Sequence, residues 1–220
     1  MDVTPRTQVR RAPKRASYDR ATVEAILDEA LVCHLAIIHD GHPFCIPTLH
    51  ARVGDMIYVH GSAASRLIRT CQSGAPACLT VTIIDGVVLA RSAFHHSMNY
   101  RSAMVLGAMH AIDDPAERSQ ALQALTERLL PGRWDVVRPP NLKELKATNV
   151  LAMPLAEASA KARTGPPVDD EDDYALAVWA GVVPVGLTTS EPQPDARLEP
   201  GVALPTHVRA LRDRLSRAMR

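Results

Sequence analysis

At 220 residues the chain is long enough to bury a substantial core within one domain. Its 46% hydrophobic and 22% charged residues are the balance of a globular protein, and a formal net charge of +1 offers no overall field for nucleic acid. No run of about 18 apolar residues is present to span a membrane, and the basic N-terminus lacks the apolar stretch of a secretory signal.

Charge is unevenly placed along the chain. Arg6, Arg10, Arg11, Lys14 and Arg15 load the first residues, and Arg209, Arg212, Arg214, Arg217 and Arg220 load the last. Between them lies Asp169-Asp170-Glu171-Asp172-Asp173. Runs of this kind read as solvated surface or tails. Cys33, Cys45, Cys71 and Cys78 form no C-x-x-C pair and fall in apolar segments, the pattern of reduced core residues in a cytoplasmic protein.

Residues 1–16 read as a flexible basic arm. A helix begins near Asp19, a suitable N-cap, with Val23, Ile26, Leu27, Ala30 and Leu31 on one face. Short apolar runs follow: Cys33 to His39, Phe44 to Val53 and Met56 to His60, separated by the hairpin signals Asp40-Gly41 and Gly54-Asp55. A helix over 63–72 turns Leu67, Ile68 and Cys71 inward. Two further strands, 77–84 and 87–94, are expected to meet in a hairpin at Asp85-Gly86. A strand over 101–112 leads to Asp113-Asp114-Pro115, which starts a helix that Pro131-Gly132 stops. A short helix over 142–147 precedes one long strand from Val150 to Arg163. Tyr174 to Val183, carrying Trp179, closes the ordered body. Residues 187–220 are expected to form a Pro-rich linker and a basic C-terminal helix with Val208, Leu211 and Leu215 inward. Antiparallel strands joined by hairpins, with helices added outside, point to a β-barrel.

Two stretches carry phosphate chemistry. Tyr100-Arg101-Ser102 sets a guanidinium beside a hydroxyl where an apolar strand begins, and planar paired donors suit a phosphate. His60-Gly61-Ser62-Ala63-Ala64-Ser65-Arg66 repeats that chemistry at a strand-to-helix junction. The same residues also make an ordinary strand exit and helix surface. A metal site is not expected: His95 and His96 would face opposite sides of a strand, and the remaining histidines keep no ligand spacing. Neither a G-x-S-x-G elbow nor a P-loop is present.

Taken in order, these pieces resemble the flavin-binding split-barrel superfamily typified by pyridoxamine 5′-phosphate oxidase. Within it, the branch of flavin-nucleotide-binding and nitroimidazole-resistance proteins is the most similar. The resemblance spans roughly Tyr18 to Val185. It rests on Ile26-Leu27-Asp28, Pro47 with the following strand, Ile57-Tyr58-Val59-His60-Gly61-Ser62, Asn99-Tyr100-Arg101-Ser102 with Gly107, and Lys161 to Pro167 before Trp179-Ala180-Gly181-Val182-Val183-Pro184. It implies a mainly β (α+β) domain over residues 17–186, a six-stranded antiparallel split barrel with peripheral helices, which forms a homodimer and holds FMN at the interface. By the same match the cofactor-binding segments are Ser62, Ser65 and Arg66 in one and Tyr100, Arg101 and Ser102 in the other, with Arg66, Arg101 and Ser102 holding the flavin phosphate, and Thr80 lies near the ring or ribityl chain. His60 matches the histidine implicated in the nitroimidazole-resistance relatives. The activity implied is hydride transfer from NAD(P)H through the flavin to a small molecule, nitro compounds among them. The alternatives are a flavin-binding protein without turnover and a haem-binding split barrel. Leu67 stands where oxidase-type members often place a second basic residue, and the basic set for a substrate phosphate is missing.

Overall fold

The computed structural model describes residues 1–217, so Arg220 of the basic tail lies outside the described residues. The chain opens with β1 (Ala16–Ser17) and α1 (Arg20–Glu29), whose cap is Asp19, accepting the Thr22 N–H at 2.8 Å. Val23, Ile26 and Leu27 of α1 are buried, and burying each such side chain is worth about 1.5–3 kcal/mol. β2 (Cys33–His39) and β3 (His42–Thr48) meet at Asp40-Gly41, where φ is 51° and 76°. Two successive positive φ angles define the twisted two-residue turn that Asp-Gly favours. β4 (His50–Val53) and β5 (Met56–Ser62) form the next hairpin, with Gly54 at φ 56°.

α2 (Arg66–Gln72) starts at Ser65, later than the expected residue 63, because Ser65 accepts the Ile68 N–H at 3.2 Å and takes the cap. It buries Leu67, Ile68 and Cys71. β6 (Pro76–Leu89) and β7 (Ser97–Ala108) are the longest strands, followed by β8 (His110–Ala111) and α3 (Pro115–Leu129), capped by Asp114. α4 (Leu142–Ala147), β9 (Thr148–Pro154), β10 (Glu157–Arg163), β11 (Gly181–Pro184) and α5 (Thr206–Arg217) complete the described chain.

All pairings are antiparallel, and they make two sheets. The larger runs β1-β10-β7-β6-β2-β3 with β11 on β6, and the smaller runs β4-β5-β9-β8. Leu27, Leu35, Ile57, Ile68, Leu79, Leu151 and Met153 are fully buried together between the sheets, α1 and α2. This is the antiparallel split barrel with peripheral helices.

Three local expectations are corrected. Asp85-Gly86 is not a hairpin: β6 passes straight through with a bulge between Ile84 and Gly86. Gly86 is required there because β11 crosses against it, and a Cβ would lie 2.9 Å from Val182 Cγ1. The strand expected over 150–163 is broken at Leu155, whose N–H is taken by the Asp55 carbonyl at 2.8 Å. β9 therefore stays in the small sheet while β10 crosses to the large one. The basic N-terminal segment is tied to the body: the Met1 ammonium donates to Tyr18 O at 2.7 Å, Thr7 is buried, and Thr4 and Arg6 reach Glu157.

Candidate functional site

Where β5 ends and α2 begins, the chain leaves a cleft of about 420 Å³ lined by His60, Gly61, Ser62, Ser65, Arg66 and Leu67, with Ile46, Pro47 and Thr48 of β3 on the facing side. Gly61 is set by packing, since a Cβ there would lie 3.1 Å from Ile68 Cγ1. That contact holds α2 close to β5. Ser62 Oγ accepts the Ala64 N–H at 3.3 Å, and the Ser65 N–H donates to the Ser62 backbone carbonyl at 2.9 Å, so the loop is shaped by one hydroxyl and one backbone turn.

Arg66 is the cation of this cleft. Its guanidinium lies 4.3 Å from the centroid of the Phe44 ring, and it makes no ion pair among the described residues. A cation over a ring face is held in direction yet keeps its N–H donors free. His60 has no hydrogen-bond partner among the described residues; its ring is exposed at the mouth of the cleft, and the partial loss of water on the cleft side pushes its pKa below the ordinary value of 6.5. It is therefore a neutral imidazole at pH 7, able to donate or accept one hydrogen bond.

The cleft opens onto the outer face of the large sheet. Pro47, which lines it, is in register with His34, and His34 with Thr80. Two strand spacings carry that row about 10 Å from Pro47 to Thr80. Thr80 Oγ1 lies 3.6 Å from Cys78 Sγ. Ser102 stands opposite Thr82 and donates to Lys161 O at 3.1 Å, and Tyr100 stands opposite Ile84 on the same face. Thr80, Tyr100 and Ser102 thus share one face, and the cleft of His60, Ser62, Ser65 and Arg66 meets it at Pro47.

Arg101 is placed differently. It alternates to the opposite side of β7 from Ser102 and is grasped by two carboxylates, with Asp85 at 2.7 Å and Glu29 in contact at the end of α1. Those two carboxylates raise its pKa, Glu29 first and Asp85 second. Its charge is already matched. Six positions along β7 separate Arg101 from Gly107, about 20 Å, and Gly107 is the residue in register with Ala77 and hence with Ile37, near the α2 end of β2. Within one chain Arg101 and Arg66 therefore do not face a common point. Sequence reasoning missed Glu29 and Asp85, which lie far from Arg101 along the chain. It also missed Ile46 and Thr48, which reach the cleft only because the edge strand β3 of the large sheet lies across it from the end of β5. Among the described residues no group of three His, Cys, Asp or Glu side chains gathers as a metal cluster.

An antiparallel split barrel with a free cation and paired hydroxyls at a strand-to-helix junction defines a class, and comparison fixes it. The chain belongs to the pyridoxamine 5′-phosphate oxidase family, whose model matches residues 19–162. Among solved structures it is similar to the flavocytochrome Anf3 from Azotobacter vinelandii, at 43% identity over 94% of this chain and 96% of that one, with a TM-score of 0.90. It is also similar to the FAD and heme binding protein from Mycobacterium smegmatis, at 38% identity over 90% of this chain and 97% of that one, with a TM-score of 0.86. A candidate 5-nitroimidazole antibiotic resistance protein from Bacteroides thetaiotaomicron shares the fold, at 22% identity over 66% of this chain and 85% of that one, with a TM-score of 0.56. No curated protein matches the chain. No helix among the described residues is long and apolar enough to cross a membrane.

Proposed function

We propose that this chain is a redox protein that binds a flavin nucleotide at the His60–Arg66 cleft and carries haem as a second group. The observation that carries the flavin reading is Arg66, an unmatched guanidinium beside Ser62 and Ser65 in a cleft that opens onto the Pro47–His34–Thr80 row. Such a donor set fits a phosphate, and the row beyond it offers flat, partly apolar surface. The haem reading is supported by the two relatives above, whose descriptions are a flavocytochrome and an FAD and heme binding protein.

When bound, the flavin would supply hydride and electron transfer. The residues of the chain do the rest. Arg66, Ser62 and Ser65 hold the phosphate nearest the ribityl chain, which FMN and FAD have in common; the Mycobacterium smegmatis relative favours FAD over the FMN that the family resemblance implies. Neutral His60 offers one hydrogen bond at the mouth of the cleft, and Thr80 offers a hydroxyl on the row beyond. Tyr100 and Ser102 line the same outer face. This face exposes Ile38, 57% accessible, together with Cys45 and Thr82, and a second copy of the chain covering it would close the site as a homodimer. NAD(P)H is the proposed electron source, and nitro compounds are one class of small acceptor.

The test is the visible spectrum of purified protein, followed by anaerobic addition of NADH or NADPH. A flavin spectrum with a Soret band, both altered by reductant, is expected. A protein that takes up neither group when both are supplied would refute the reading, and chromatography of the released flavin distinguishes FAD from FMN.

A further inference from the structure

Along the large sheet from Tyr100 and Ser102, β11, β6 and β7 present an apolar face that no described residue covers. Val183, Val87 and Met98 stand in register across the three strands, with Val183 46% and Met98 44% accessible. Beside Val183, Gly181 lets the Trp179 indole lie on this face, for a Cβ on Gly181 would come within 2.9 Å of the ring. Trp179 is 66% accessible all the same. Three strands at about 4.8 Å spacing give a platform about 10 Å across, the scale of a porphyrin.

At its rim sits His96, two residues before Met98 along an extended chain. His96 Nδ1 lies 2.8 Å from Ser92 O. A carbonyl only accepts, so Nδ1 carries the proton and the exposed ring turns a bare Nε2 lone pair outward. An imidazole fixed through one nitrogen by a backbone carbonyl is how metal-bound histidines are oriented. The other exposed histidines, His34, His42, His60 and His110, have no such bond among the described residues. Phe94, 89% accessible, stands on the same turn as His96.

The turn and the Trp179 segment are held together. Asp169, its side chain fully buried, accepts Arg91 N–H at 2.9 Å and Arg91 Nη1 at 3.0 Å. Tyr174 stacks under the same guanidinium at 5.0 Å, and His95 faces Asp170 at 3.3 Å. Ligand and platform thus form one pre-organised surface.

We propose that His96, through Nε2, is the residue that would ligate haem iron, and that Trp179, Val183, Val87 and Met98 are the apolar surface that would hold the group. The haem is held without covalent attachment, as the chain has no C-x-x-C-H sequence. This rests on the haem part of the function proposed above, and the experiment separates the two. The full chain, free of haem and loaded with flavin, is titrated with haemin, and the same is done for His96→Ala, His42→Ala and His110→Ala. In each case the Soret and visible bands and the flavin content are recorded. The expectation is a histidine-ligated spectrum for the unmodified chain, His42→Ala and His110→Ala. His96→Ala should lose that spectrum and bind haemin about tenfold or more weakly at unchanged flavin content, with added imidazole restoring the bands. If His96→Ala keeps the histidine-ligated spectrum and affinity, the ligand assignment is overturned while the haem reading stands. Haemin binding to none of the proteins would overturn both, leaving a second copy of the chain to cover the face.

Discussion

Replacing Arg101 and Arg66 in parallel tests the proposal that the first cation is structural and the second binds the flavin phosphate. Arg101 bridges Glu29 at the end of α1 and Asp85 at the bulge of β6, with 32% of its side chain accessible. Exposed ion pairs contribute about 0–1 kcal/mol, and losing one partner from a fully buried pair costs about 3–5 kcal/mol. The partial exposure of all three groups places Arg101→Ala near the lower range, about 1–2 kcal/mol, including the repulsion left between two unmatched carboxylates. In a chain of this size that is a fall in Tm of about 2–8 °C. Arg66 has no carboxylate to lose, so Arg66→Ala should leave the Tm of the flavin-free protein nearly unchanged. Thermal melts of both variants with and without flavin, together with flavin content after gel filtration, make the comparison. Arg66→Ala should release flavin and Arg101→Ala should retain it. Loss of flavin from Arg101→Ala, with the flavin-free Tm unchanged, would refute the division of roles.

Three further outcomes follow from the interior. His50 is buried, donates from Nε2 to Leu27 O at 2.9 Å, and is held by burial below its ordinary pKa of 6.5. The unfolded chain therefore binds this proton first, so stability should fall as pH drops below about 6.5, a limb that urea midpoints would show and His50→Gln would flatten. Burial pushes the Cys33 thiol up to about 12 and that of Cys71 up to about 11, while Cys45 is exposed. Thiol labelling of the native protein, read by mass spectrometry, should leave Cys33 and Cys71 unmarked until denaturant is added, and Cys45 should be marked in native protein only where no second copy covers its face. Gly86→Ala should cost about 1–3 kcal/mol in chemical denaturation by driving a methyl into Val182 of β11, and an unchanged midpoint would show that β11 yields freely.

Local chemistry was readable wherever the cause lay within a few residues. Asp19 and Asp114 cap the helices they were expected to cap, and Asp40-Gly41 turns the chain because both residues take positive φ. Asp85-Gly86 has the same composition and a different cause. Its glycine answers to Val182 across 96 positions of chain, which no local pattern reports. The site divides in the same way. His60, Ser62, Ser65 and Arg66 are neighbours in sequence and share one cleft, whereas the contacts of Arg101 with Glu29 and Asp85 join parts of the chain that no local pattern brings together.

The sheet change between β9 and β10 bears on how the molecule is made. β9 completes the edge of β5, and β10 completes the edge of β7, yet only Leu155 and Ala156 separate the two strands. Until residues 148–163 have left the ribosome, a nascent chain carries two raw strand edges, and neither sheet can close over the core. Pairings this distant in sequence are slow to form and expose edges while they wait. Both edges are closed by one short stretch of chain, so the two sheets must be completed together rather than one after the other.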